Sequence, residues 1–184
     1  TPAPHGWYLQ VATEQGQTAL AGLSLAASDD MTVNQHRQKT EQQCLAEFSD
    51  LSTLATGMAR LQAGQVTATE WETLAVQCLS CSGCVNLCPT CSCFTTFDVT
   101  HADKTIVRER VWDSCLYEGF QREASDHNPT ATAGARTARY WFHKFSPAFI
   151  PTQGRLGCTG CGRCDGVCPT VIGARSVLTR LAHA

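Results

Sequence analysis

Long apolar runs are missing from this chain. Nowhere in its 184 residues does a stretch approach the ~20 apolar residues needed to span a bilayer, which excludes a transmembrane helix. Basic runs are missing too. Lys and Arg number 14 against 16 Asp and Glu, and none of them cluster, which argues against a nucleic-acid partner. No Gly-x-Gly-x-x-Gly follows a strand, so the chain shows no dinucleotide fingerprint. No Cys-x-x-Cys is followed by His, so covalent haem is not indicated. Neither a signal peptide nor a twin arginine is visible. An initiating Met is absent as well, and the expectation is that residues 1–30 are the remnant of an upstream domain of a longer subunit.

Cysteine is what the chain has in excess, with twelve residues. Eight fall in two copies of one pattern. The first is Cys78, Cys81, Cys84 and Cys88-Pro89. The second is Cys158, Cys161, Cys164 and Cys168-Pro169. Both follow C-x2-C-x2-C-x3-C-P, the run with which two-cluster ferredoxins hold iron–sulfur cubanes. Cluster irons take soft thiolate ligands. Three cysteines at two-residue gaps wrap one cluster, and the offset fourth, before proline, ligates the other. Cluster one is therefore expected on Cys78, Cys81, Cys84 and Cys168, and cluster two on Cys158, Cys161, Cys164 and Cys88. Gly83, Gly160 and Gly162 suit such loops, because glycine reaches backbone angles closed to other residues. A zinc site would pair two cysteines with a distant second pair, and a disulfide framework belongs to small secreted chains. Thiolate-held clusters point to a reducing compartment, hence the cytoplasm. Two such clusters take the formal charge from −2 to about −6, since the metal sites carry charge of their own.

The remainder reads as α+β. Trp7 to Ala12 is strand-like, and Ala19 to Ala27 is either helix or strand. Residues 31–77 form a helical segment. Within it, Leu45, Phe48, Leu51, Leu54, Met58 and Leu61 recur at helical steps, with Ser49 or Asp50 as a cap and Gly64 as a stop. Thr69 to Glu72 matches a capping box, opening a helix that carries Trp71, Leu74 and Ala75 into Cys78 and shields cluster one. Residues 78–184 are the dicluster domain with a long insertion, 89–157. That insertion reads as a hairpin (Thr95–Val99, Thr105–Trp112), a short helix to about Glu123, a turn at Asp126–Pro129, and a helix from Ala131 to Phe145. Arg136, Arg139 and His143 share one face of that last helix. The face either compensates cluster charge or docks an acidic partner, or is a plain solvated face. Val171, Ala174, Leu178 and Leu181 mark a closing amphipathic helix.

Four cysteines remain: Cys44, Cys91, Cys93 and Cys115. Four is the number a third cluster needs, although free cysteine is commonly a small buried hydrophobe. Cys88-Pro-Thr-Cys91 has redox spacing, but Cys88 is already required as a ligand.

Further signatures occur in a characteristic order: Cys88-Pro-Thr-Cys91, Trp112-Asp-Ser-Cys115, His127-Asn-Pro129, Arg136 and Arg139, His143-Lys-Phe145, and Gly160-Cys-Gly-Arg-Cys164. With these the chain resembles the iron–sulfur beta subunit of cytoplasmic NAD(P)-linked nickel–iron hydrogenases (sulfhydrogenases), and equally an iron–sulfur subunit of anaerobic sulfite reductase. The resemblance covers residues 70–182 firmly and 6–20 loosely. Two departures are Thr130, where the family has Arg, and Gly83, one place later than the usual motif glycine. The resemblance implies a ferredoxin-like dicluster domain and a non-catalytic electron-transfer subunit. It also implies a flavin-binding diaphorase-type partner, holding FAD and NAD(P), and a catalytic partner of the hydrogenase or sulfite reductase type. Two other functions are weighed beside it. One is thiol chemistry on a sulfur substrate by Cys91, Cys93 or Cys115. The other is a free-standing ferredoxin, against which the extra segments argue.

Overall fold

The structure, a computed structural model, describes residues 2–3 and 6–184, with the side chains of all but Pro2, Ala3 and Gln153 among them. It divides into two compact units, Thr1–Asp50 and Leu51–Ala184. Of the stretch 1–30, Thr1, Pro4 and His5 lie outside the described residues.

In the first unit β1 (Pro2–Ala3) pairs antiparallel with β2 (Gly6–Trp7). The strand expected through Ala12 stops at Trp7. Thr13 then caps α1 (Glu14–Leu20), accepting a hydrogen bond from the Gly16 N–H, so the apolar run from Ala19 enters a helix end and continues without regular structure to Asp29. Asp29 caps α2 (Asp30–Ala46) in the same way through the Thr32 N–H. No residue of α1 or α2 is buried.

The second unit opens with α3 (Leu51–Gln62), so the helical segment is interrupted at 47–50. Leu45, Phe48 and Leu51 are exposed, whereas Leu61 is buried and Leu54 and Met58 pack beside it. The chain stops helically where expected, with Gly64 at φ +67°. The capping box lies two residues earlier than read from sequence. Thr67 and Glu70 exchange the reciprocal bonds that start α4 (Ala68–Ala75). Glu72 is left free for a longer reach. It accepts from the Thr132 hydroxyl at 2.5 Å and the Gly134 N–H at 3.2 Å, at the start of α6 (Ala133–Phe145). A carboxylate there meets the positive end of the helix dipole.

Between these helices lie the first motif with α5 (Gly83–Asn86) and the hairpin of β3 (Phe94–Thr100) and β4 (Ile106–Trp112). The hairpin register runs from Phe94 opposite Trp112 to Thr100 opposite Ile106. A 3₁₀ turn at Glu118–Gln121 replaces the short helix expected there. After α6 come α7 (Ile150–Gln153), the second motif with α8 (Arg163–Val167), and α9 (Ala174–His183). Val171, expected on the last helix, precedes it with φ +53° and is exposed.

The core brings α3, α4, α6 and α9 together through Leu61, Trp71, Leu74, Tyr140, Trp141, Phe145, Val177, Leu178 and Leu181. Gly57 of α3 sits against the backbone of Leu178 in α9, where a Cβ would come within 1.9 Å of its carbonyl oxygen. Arg60 donates to the Leu181 carbonyl and pairs with Glu70 at 2.9 Å, tying α3 to both α9 and α4. Helix α6 is thus part of the core, although it lies in the segment between the motifs. The hairpin contributes little to that core, and its Trp112 is 77 % exposed. The α+β class holds, with the sheets small and the helices doing the packing. Among the described residues no helix is long and apolar enough to cross a membrane.

Candidate iron–sulfur centres

The two motif loops share one backbone path. Ser80 (φ 50°) and Ser82 (φ 61°) in the first stand where Gly160 (φ 68°) and Gly162 (φ 71°) stand in the second. All four occupy the left-handed region, which favours glycine. Gly160 and Gly162 meet the expectation. Gly83 does not, because its role is clearance: a Cβ there would lie 3.2 Å from Val167 Cγ2, where α5 meets α8. The first loop therefore holds its left-handed turn with serine. Ser82 is 1 % exposed, and its hydroxyl donates to Ser114 Oγ at 2.6 Å. Ser114 in turn accepts from the Leu116 N–H at 3.2 Å. The Trp112-Asp-Ser-Cys115 signature thereby pins the first loop.

Cys78, Cys81 and Cys84 line one cavity together with Cys168 from the far motif. The rest of its wall includes Leu116, Thr137, Tyr140, Trp141 and Ile172, with no charged side chain. Burial pushes the Cys84 thiol up to about 12, as expected for a sulfur whose anion has no protein counter-charge. Thr137 is 3 % exposed and its hydroxyl has no hydrogen-bond partner. A buried orphan hydroxyl calls for an explanation. Here it lines a cavity ringed by four thiols, so a sulfur-rich acceptor fits the residues present.

In the second expected set, Thr90 ties Cys88 to the residue before the second motif. Its hydroxyl donates to the Gly157 carbonyl at 2.6 Å and lies 3.2 Å from Cys88 Sγ, which holds Cys88 beside the start of the second motif. Gly157 is itself packed on the end of α6, since a Cβ would come within 2.2 Å of the His143 carbonyl. Backbone N–H groups of Gly160 and Ala174 donate to Cys158 and Cys164 sulfurs, each at 3.4 Å. Lys144 donates from Nζ to Cys88 Sγ at 3.2 Å and to Thr90 Oγ1 at 3.0 Å. Burial disfavours the Cys88 thiolate, but the Thr90 and Lys144 hydrogen bonds outweigh it and bring the thiol down to about 7. Cys81 and Cys161 are the exposed members of their loops. Among the described residues no three His, Cys, Asp or Glu converge on a single-ion site. The first set of thiols surrounds a space instead.

The cysteines outside the motifs fall in both units. Cys44 is exposed on α2 of the first unit, and Cys91, Cys93 and Cys115 belong to the second. The Asp113 N–H donates to the Cys93 carbonyl at 3.0 Å, extending the hairpin ladder, and the Cys93 and Cys115 thiols are hydrogen-bonded to each other. That bond brings Cys93 down to about 6 against the opposing effect of burial. The same bond, with burial, raises Cys115. Burial raises Cys91 to about 11.

The basic face does not meet the motif cysteines as a unit. Arg136 donates to the Thr130 and Ala131 carbonyls at 3.1 and 2.7 Å, while Arg139 and His143 are exposed. Among the described residues the cation hydrogen-bonded to a motif sulfur is Lys144, the middle residue of the His-Lys-Phe signature. The signal was legible, because Lys144 falls at helical spacing with Thr137, Tyr140 and Trp141, all buried. A lysine inside an apolar stripe is rarely idle.

Residues 77–172 match the family described as a 4Fe-4S dicluster domain. The chain belongs to that family: it is a dicluster iron–sulfur protein. It is also similar to Sulfhydrogenase 2 subunit beta of Pyrococcus furiosus, with 30% identity over 170 residues covering 92% of this chain and 50% of the relative. The chain thus spans about half the length of that curated relative. No solved structure matches it.

Proposed function

We propose that this chain is an electron-transfer subunit of a soluble multi-subunit oxidoreductase of the sulfhydrogenase kind. In this reading one [4Fe–4S] cluster is held by Cys78, Cys81, Cys84 and Cys168, and a second by Cys158, Cys161, Cys164 and Cys88. When bound, the clusters supply one-electron couples whose potentials depend on surrounding hydrogen bonds and exposure. The chain's own residues orient the thiols, exclude water with Trp141, Tyr140 and Leu116, and place hydrogen-bond donors at the sulfurs. Electrons pass between a partner that binds flavin and NAD(P) and a catalytic partner of the nickel–iron hydrogenase type, in the cytoplasm. The observation that carries the reading is the cavity in which Cys168 joins three cysteines of the other motif, as the dicluster exchange requires.

The test is native mass spectrometry with an iron count on material as isolated. About eight irons per chain, with flavoprotein and nickel-bearing partners, are expected. A sirohaem partner would move the assignment to sulfite reduction, and a monomer would return it to a free-standing ferredoxin. Zinc in place of iron would refute it. The Cys161→Ala variant is expected to lose the second cluster's EPR signal.

A second reading is favoured by the hydrogen-bonded Cys93–Cys115 pair. A Cys93 thiolate attacks a sulfur–sulfur bond of a polysulfide, expelling the shortened polysulfide anion and leaving a persulfide on Cys93. Cys115 then displaces hydrosulfide from it, forming the Cys93–Cys115 disulfide. Two electrons and one proton from reduced nicotinamide on the partner, with a second proton from water, restore both thiols. Unchanged sulfur-dependent turnover of a Cys93→Ser complex would remove this reading.

A further inference from the structure

Lys144 is 4 % exposed and pairs with no carboxylate among the described residues. Burying an ammonium is costly unless an opposite charge accompanies it. Its partners are Cys88 Sγ, the Thr90 hydroxyl and the Cys91 thiol, which burial holds neutral, and its Nζ lies 5.7 Å from the Tyr140 ring centroid. The counter-charge must therefore come from sulfur. The surroundings of the first cavity are different, since no charged side chain lines it. The two motifs have the same cysteine pattern and loop path, so this buried cation is a difference between their sites that spacing alone does not contain. Asp165 works in the opposite sense, with Oδ2 3.7 Å from Cys164 Sγ. It is only half-buried, and its other oxygen accepts from the Arg175 N–H at 3.1 Å. Arg139 and His143 are exposed and screened by solvent and salt.

We propose that Lys144 sets the reduction potential of the cluster held by Cys88, making it the higher-potential of the two and the site where a single electron rests. The proposal rests on the ligand sets given under Proposed function. Reduction adds negative charge to a cluster. A buried cation bonded to a ligand sulfur stabilises the reduced state and raises the potential. Lys144 is thus a positioning and tuning residue, acting through the Cys88 sulfur.

The experiment is an EPR-monitored redox titration of the cluster-loaded full chain, unsubstituted and as Lys144→Met. The two waves are assigned with Cys81→Ser and Cys161→Ser. The wave perturbed in Cys161→Ser is expected at the higher potential in the unsubstituted protein. In Lys144→Met that wave moves down, so that its reduced-to-oxidised ratio at fixed potential falls at least tenfold, about 59 mV for a one-electron couple. The other wave stays in place. No shift, or an equal shift of both waves, overturns the proposal. So does a lower potential for the second cluster in the unsubstituted protein, which decides the matter even where Lys144→Met fails to retain its clusters. Lys144→Gln, keeping a donor without the charge, is expected to shift the wave in the same direction. If Cys161→Ser leaves both waves intact, the ligand sets themselves are wrong and the proposal falls with them.

Discussion

Gly57→Ala adds one methyl group at the crossing of α3 and α9. In an isolated helix the change is favourable by roughly 1 kcal/mol, since glycine is the poorer helix former. Here the new Cβ would sit 1.9 Å from the Leu178 carbonyl oxygen, 2.7 Å from its carbon and 3.1 Å from its Cα. These are backbone atoms, so no rotamer change relieves the contact, and the helices must separate. Overpacking of a core costs about 1–3 kcal/mol, and a backbone obstacle puts this case near the upper end. The separation also loosens Leu61, Val177 and Leu181, buried at the same crossing. Subtracting the propensity gain leaves a net loss of about 2 kcal/mol. In a protein of this size that lowers Tm by about 4–8 °C. Thermal unfolding followed by circular dichroism reads it directly. Gly119 is the control, because nothing lies within 4 Å of its Cβ position, and Gly119→Ala is expected to stay within ~0.5 kcal/mol of the unsubstituted protein. A Gly57→Ala protein as stable as the control would refute the close approach of the two helices.

Ser82 gives a second test. Ser82→Ala loses the buried bond to Ser114 while keeping the left-handed strain, and should cost about 1–3 kcal/mol. Ser82→Gly relieves the strain and should cost less, an order that urea denaturation of both variants will check. Alkylation of Cys93 is expected to rise with pH through about 6 and then level off, because the thiolate is the nucleophile. Cys115→Ala removes the hydrogen-bond donor and should move the midpoint upward, measured as a pH profile of iodoacetamide labelling located by peptide mass. Glu72→Ala leaves the Thr132 hydroxyl and the Gly134 N–H without their acceptor and removes a charge from the N-terminus of α6. A loss of about 1–2 kcal/mol is expected. Glu72→Gln, which keeps an acceptor, should recover part of it in the same denaturation assay.

The cysteine spacing was readable in one dimension because metal ligation constrains residue type and gap together, and the hairpin and the last two long helices were readable because their periodicities are local. The capping box was misplaced by two residues because two competing Thr-x-x-Glu frames overlap at 67–72, and only one lets Glu72 reach α6. What local pattern could not carry is anything that depends on two distant segments meeting. That Ser82 fills a glycine's place depends on Ser114, 32 residues away. That Gly57 is needed for clearance depends on Leu178. The sulfur contact of Lys144 depends on α6 packing against the first motif's exit at Cys88 and Thr90. Spacing marks the candidate cluster ligands. The charge beside each set of them is decided by packing, because a buried cation acts through distance and dielectric, and neither is written in the order of residues.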